Sequence, residues 1–170
     1  MARSSRALAV GGTALVLAAA ALAGCGDDDT GGTVTTTTAP RLSVTGAAAA
    51  YAPIRAEIVA IGRDLGTAVR NAPGTADAEL ADQFSALTVR AESAVARLES
   101  LDVPADLDTA FDDLREALSD GAEDLRAVAT AARQHDPQAA REATQRLVSD
   151  SAAIRAARAQ VERQLPPARG

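Results

Sequence analysis

Three groups of residues in this chain have side chains capable of chemistry. The first is Cys25, the only cysteine, set in Leu22-Ala23-Gly24-Cys25. The second is His135, the only histidine. The third is a carboxylate-rich stretch, Asp106, Asp108, Asp112, Asp113, Glu116, Asp120, Glu123 and Asp124, opposed locally only by Arg115, Arg126 and Arg133. A lone thiol cannot close an internal disulfide, and no CxxC or Cys/His spacing offers a metal or haem site. His135 has no spaced Ser or Cys partner to activate. A di-iron centre in a helical bundle needs inward Glu-x-x-His pairs, and this sequence has none. P-loop and dinucleotide fingerprints are absent as well. These observations point to a non-enzyme with no cofactor and no metal, in which the one reactive sulfur serves covalent attachment.

The residues before Cys25 indicate what is attached. Arg3 and Arg6 precede an apolar run from Ala7 to Leu22, broken only by Gly11, Gly12 and Thr13. That run has the length of a secretory hydrophobic region and falls short of the ~20 apolar residues of a bilayer span. Its ending, Leu22-Ala23-Gly24-Cys25, resembles the lipobox of bacterial lipoproteins. The resemblance implies a signal peptide over residues 1–24, cleavage before Cys25, and a diacylglycerol thioether on the Cys25 sulfur. Small side chains at 23 and 24 suit an extended backbone entering a peptidase cleft. Two acyl chains hold stably, since each buried methylene contributes ~0.8 kcal/mol. An ordinary secretory signal, or an uncleaved anchor helix, leaves Cys25 without a role. The expected location is the extracytoplasmic face of the cell membrane.

The elements that must position everything else lie downstream. Residues 25–45 contain Asp27-Asp28-Asp29, Gly31-Gly32 and a Thr cluster over 33–38, with no apolar periodicity. They read as a flexible tether. About 20 residues of this kind give a root-mean-square reach of ~25 Å and at most ~70 Å.

Residues 46–166 then read as four helices, with a short tail over 167–170. Tyr51, Ile54, Ile58, Ile61, Leu65 and Ala68 alternate at spacings of three and four. So do Leu80, Phe84, Leu87, Ala91, Ala94, Leu98 and Leu101, and then Leu107, Phe111, Leu114, Leu118, Gly121, Leu125, Val128 and Ala132. The last stripe is weaker: Leu147, Ile154 and Val161 recur every seven, with Ala143, Ser151 and Ala157 between them. Each set forms one helical face.

Asn71-Ala72-Pro73-Gly74 ends the first helix. Pro104 is expected in the first turn of the third. Asp136-Pro137 supplies an N-cap carboxylate and an N1 proline to the fourth, and Pro166-Pro167 stops it. Short connections make neighbours antiparallel. The expected fold is all-α, an up-down-up-down four-helix bundle. Its tether and C-terminus share one end, and Asn71 and His135 share the other, outward tip.

Composition narrows the partners. The net charge is −6, and removing a leader that contains Arg3, Arg6 and no acid makes it more negative. Bulk charge therefore opposes nucleic acid and anionic headgroups. Aromatic residues are 2% of the chain, so the core must be aliphatic. Asp112, Glu116, Asp120 and Glu123 fall on one stripe. Its expected fate is solvation or pairing with Arg141, Arg146, Arg155, Arg158 and Arg163 of the fourth helix; a docking strip for a basic envelope partner or for divalent cations is the sharper alternative. Over residues 97–165 the Leu-rich helix end, the Val103-Pro104-Ala105-Asp106-Leu107 start and the Asp-Pro helix opening resemble small secreted helical lipoproteins of actinobacterial type. That resemblance implies a bundle and assigns no functional residues. The functional expectation is a membrane-anchored binding or envelope-structural module. The alternative is a carrier of a small apolar ligand, because Ala-rich seams and Gly121 leave room between helices. The same stripes can also pair between chains, so the oligomeric state stays open.

Overall fold

The structure, a computed structural model, describes residues 41–166. The expected signal peptide with its Leu22–Cys25 motif, the expected tether up to residue 40 and the tail 167–170 lie outside the described residues. Four helices follow one another: α1 Val44–Asn71, α2 Asp77–Glu99, α3 Ala105–Arg133 and α4 Pro137–Gln164. A single 3₁₀ turn, Ala72–Gly74, joins α1 to α2. No strand occurs among the described residues. The architecture is an up-down-up-down four-helix bundle.

The helix ends follow local chemistry. The Ser43 hydroxyl accepts from the Gly46 amide and caps α1. Helix α1 thus opens at Val44, two residues before the expected start of the bundle. The chain just ahead of it is docked as well: Leu42 N–H donates to the Asp102 carbonyl, and Arg41 faces Asp102 and Asp108. Pro104 is the N-cap of α3 rather than a residue of its first turn. Asp136 caps α4 by accepting from the Gln138 and Ala139 amides, both at 3.0 Å, with Pro137 at the first helical position.

Helix α3 ends in a Schellman arrangement. Asp136 N–H reaches the Ala131 carbonyl and His135 N–H the Ala132 carbonyl. His135 occupies the left-handed position, with φ of +53°, where glycine is usual. Pro53 lies inside α1 on its exposed side.

The apolar stripes face inward. Tyr51, Ile54, Ala94, Leu98, Leu107, Phe111, Leu114 and Val161 close the core at the end nearer residue 41. Tyr51 and Phe111 meet edge to face at 5.4 Å and 74°, a geometry aromatic pairs favour. Ile61, Ala68, Phe84, Leu87, Leu125, Val128 and Leu147 fill the other half. Each large apolar side chain buried in this way stabilises the fold by about 1.5–3 kcal/mol.

Helix α3 is buried on a wider face than its single stripe implies, adding Ala110, Ala122, Ala129 and Ala131. The reason is its place: it packs closely on α2 along one side and on α4 along the other, while α1 packs closely on α2 alone. Small side chains allow both close approaches. By length and composition α1 could cross a bilayer, but its Tyr51–Ile54–Ile58–Ile61 face is part of this core.

Candidate ligand-binding cleft

The seam between α1 and α4 is the open one. A cleft of about 290 Å³ lies along it. One wall is Ile58, Val59, Ile61, Gly62 and Leu65 of α1; the other is Leu147, Ser151, Ile154, Arg155 and Arg158 of α4. Leu118, Gly121 and Leu125 of α3, with Ala91 of α2, form the floor. The cleft continues toward the far end as shallower grooves of about 260 and 340 Å³, past Val69, Thr144 and Val148 and on to Ala72, Ala140 and Arg141. From Ile58 to Ala72 this path spans about 21 Å at the helical rise per residue. Val59, Val69 and Val148, three of the five large apolar side chains left exposed among the described residues, line it. Exposed apolar surface gathered in one concavity marks an interaction site more often than scattered side chains do.

The sequence explains why this seam stays open. Helix α4 offers the sparsest apolar stripe, and Ser151 and Ile154 on it are only half-buried. Opposite them α1 presents Gly62, where an added Cβ would meet nothing within 4 Å. On the floor, Gly121 lets Ile154 approach so closely that a Cβ there would stand 2.9 Å from its Cδ1. Gly121, expected to leave room between helices, lies on the cleft floor, but Ile154 fills the space its missing side chain leaves.

Charge at the end of the seam nearer Tyr51 is unbalanced. Arg55 and Arg158 share one carboxylate, Glu162, at 3.9 and 3.4 Å. Arg155, at the rim, has no ion-pair partner among the described residues. Arg158 Nε and the Tyr51 hydroxyl are both buried without a hydrogen-bond partner. Burial pushes the Tyr51 phenol well above its ordinary value; the Glu162 charge adds to this, and Arg158 and Arg55 oppose it. The phenol therefore stays protonated, a donor like Arg158 Nε.

The residues singled out from sequence fall elsewhere. Leu22, Ala23, Gly24 and Cys25 lie outside the described residues. Asn71 and His135 are exposed at one end, as the topology requires, and the His135 ring Nδ1 sits 2.5 Å from Asp77 Oδ2, tying the two loops there. That contact and the helix-ending backbone of His135 give it a structural task.

Asp112, Glu116, Asp120 and Glu123 form one exposed face of α3. The expected pairing with α4 arginines does not form along this strip. Asp112 pairs with Arg115 of its own helix, while Glu116, Asp120 and Glu123 make no ion pair among the described residues. The α4 arginine that reaches α3 is Arg146, whose Nε donates to Asp124 Oδ1 at 2.9 Å. Asp124, expected on the surface, is buried at 6% exposure because α4 covers it. Its Oδ2 has no donor. Asp150 lies nearby: burial, the proximity of Asp124 and the charges of Asp124 and Asp120 raise its carboxyl, and Arg146 opposes them. Among the described residues no group of carboxylates and histidine is arranged to hold a metal ion.

Sequence reasoning placed Ile58, Ile61, Leu65, Ala91, Leu118, Leu125, Leu147, Ser151 and Ile154 on the core stripes and missed Val59 and Gly62. The signals that would have found the cleft were the weak α4 stripe and the glycine at 62. No family model matches the chain, and neither a curated protein nor a solved structure matches it.

Proposed function

We propose that this chain is a lipid-anchored extracytoplasmic carrier that holds a small apolar molecule in the α1–α4 cleft. The observation that carries the ligand reading is the cleft itself, an aliphatic concavity with exposed valines along its walls. The anchor rests on Leu22-Ala23-Gly24-Cys25 and the leader before it. Together they describe a rod held at a membrane by the Cys25 lipid, with a ligand path along its side. A docking role for the Asp112–Glu123 strip has no matching support, since solvated carboxylates on a helix face are ordinary surface.

Two measurements on one set of variants test this. In a bacterial host that lipidates secreted proteins, the chain is expected in the membrane fraction with added acyl mass, and Cys25→Ser in the soluble fraction without it. A wild-type chain that is soluble and unmodified removes the anchor. Native mass spectrometry of the Cys25→Ser chain is expected to show co-purified or added apolar ligand. Gly62→Leu, which fills the cleft and improves helix propensity by about 1 kcal/mol, is expected to abolish that adduct while leaving the fold at least as stable. An adduct that persists in Gly62→Leu places the ligand elsewhere.

A further inference from the structure

We infer that the occupant of the cleft is a single-chain carboxylic acid, a fatty acid, with its carboxylate held by Arg158 and Arg155 on the cleft wall. This rests on the reading of the cleft as a ligand site. Three observations lead there. Arg158 Nε is buried without a hydrogen-bond partner, and an N–H donor is satisfied by an acceptor. The cations exceed the carboxylates: Arg55, Arg155 and Arg158 stand against Glu162 alone. The cleft beyond them is narrow and aliphatic. Its volume of about 290 Å³ lies at the low end of small-molecule pockets and continues into the grooves toward Val69, which suits one alkyl chain.

The chemistry of the ends then divides the work. The alkyl chain supplies affinity, since each buried methylene contributes about 0.8 kcal/mol. The carboxylate supplies orientation, because hydrogen bonds to charged groups are stronger and more directional than neutral ones. Glu162 competes for Arg158, but its oxygen does not satisfy Nε. An incoming carboxylate displaces an ion pair at 3.4 Å rather than a formed hydrogen bond.

The test uses the full chain with Cys25→Ser, so that no acyl chain of its own competes. Titration with the fluorescent fatty acid cis-parinaric acid is expected to give a saturable rise in emission, reversed by palmitate. Methyl palmitate, of the same length without the charge, is expected to compete at least about tenfold more weakly. Arg155→Gln/Arg158→Gln is expected to weaken the acid by about tenfold or more and leave the ester unchanged. Thermal unfolding of the double variant is expected to confirm an intact bundle. Equal competition by acid and ester overturns the carboxylate assignment and leaves the cleft reading standing. An acid preference that survives the double arginine variant overturns the arginine assignment. If neither molecule binds, this inference and the cleft reading fall together. A rise in emission that accompanies dimer formation in size-exclusion chromatography assigns the groove to a second copy and overturns the inference.

Discussion

The seams around α3 and the seam between α1 and α4 are built from the same few residue types, yet one kind is closed and the other open. Where α3 meets its neighbours, alanines and Gly121 allow close approach and Leu107, Leu114, Leu118 and Leu125 fill the space between. Each close seam also carries a cross-helix arginine. Arg126 on α3 bonds Glu92 on α2, Arg146 on α4 bonds Asp124 on α3 at 2.9 Å, and Arg90 on α2 bonds both Glu57 and Asp64 on α1 at 2.7 Å. The Arg90 hydrogen bond holds the Asp64 carboxyl below its ordinary value.

Between α1 and α4 the tie is Arg55 to Glu162 at 3.9 Å, too long for a hydrogen bond, and glycine, serine and valine stand where leucines would close the gap. The contrast teaches that amphipathic stripes alone do not close a bundle. A fourth helix with a thin apolar face packs on one neighbour and leaves the other side open.

The largest expected effect separates the two kinds of seam directly. Leu114 is fully buried, so Leu114→Ala is expected to lower unfolding stability by about 2–5 kcal/mol. Leu65→Ala, on the cleft wall, is expected to cost well under half as much in denaturant titrations. Equal losses would mean that the open seam is as tightly packed as the closed ones.

A smaller effect is expected from Arg146→Met, which leaves the buried Asp124 carboxylate without its donor. The loss should be about 1–3 kcal/mol, at the low end because the arginine is itself more than half exposed. No loss would show that the α3–α4 seam is held by packing alone.

The smallest effect concerns Asp150 and depends on pH. Its folded-state value lies above the ordinary 3.8, so the folded chain holds that proton more tightly than the unfolded one. The resulting stabilisation is fully present below pH 3.8 and is lost as pH rises through the raised value. Asp150→Asn is therefore expected to unfold at a higher temperature than wild type at neutral pH. The difference should shrink toward zero or reverse in acid. A constant difference across this range would remove Asp150 from the α3–α4 charge cluster.

Much of this was legible in the residues. The stripe of α3 was read in full, from Leu107 to Ala132, because a central helix has the strongest periodicity. The Asp136-Pro137 start of α4 was equally plain, since capping is a local interaction between a side chain and the next few amides. Leu65 and Ile154 were read as core and proved half-buried. Periodicity tells which face a residue shares, and not whether another helix arrives to cover it. Asp124 was read as surface for the same reason in reverse: its burial depends on α4 lying across it.

What the sequence by itself determined is the set of four amphipathic helices and their order. These follow from interactions within a few residues, where spacing and side-chain type decide the outcome. Only the tertiary structure decided which seams close. That outcome depends on how four stripes of unequal width are shared around one core, and the thin stripe of α4, satisfied against α3, leaves an aliphatic cleft beside α1 with Arg155 at its rim.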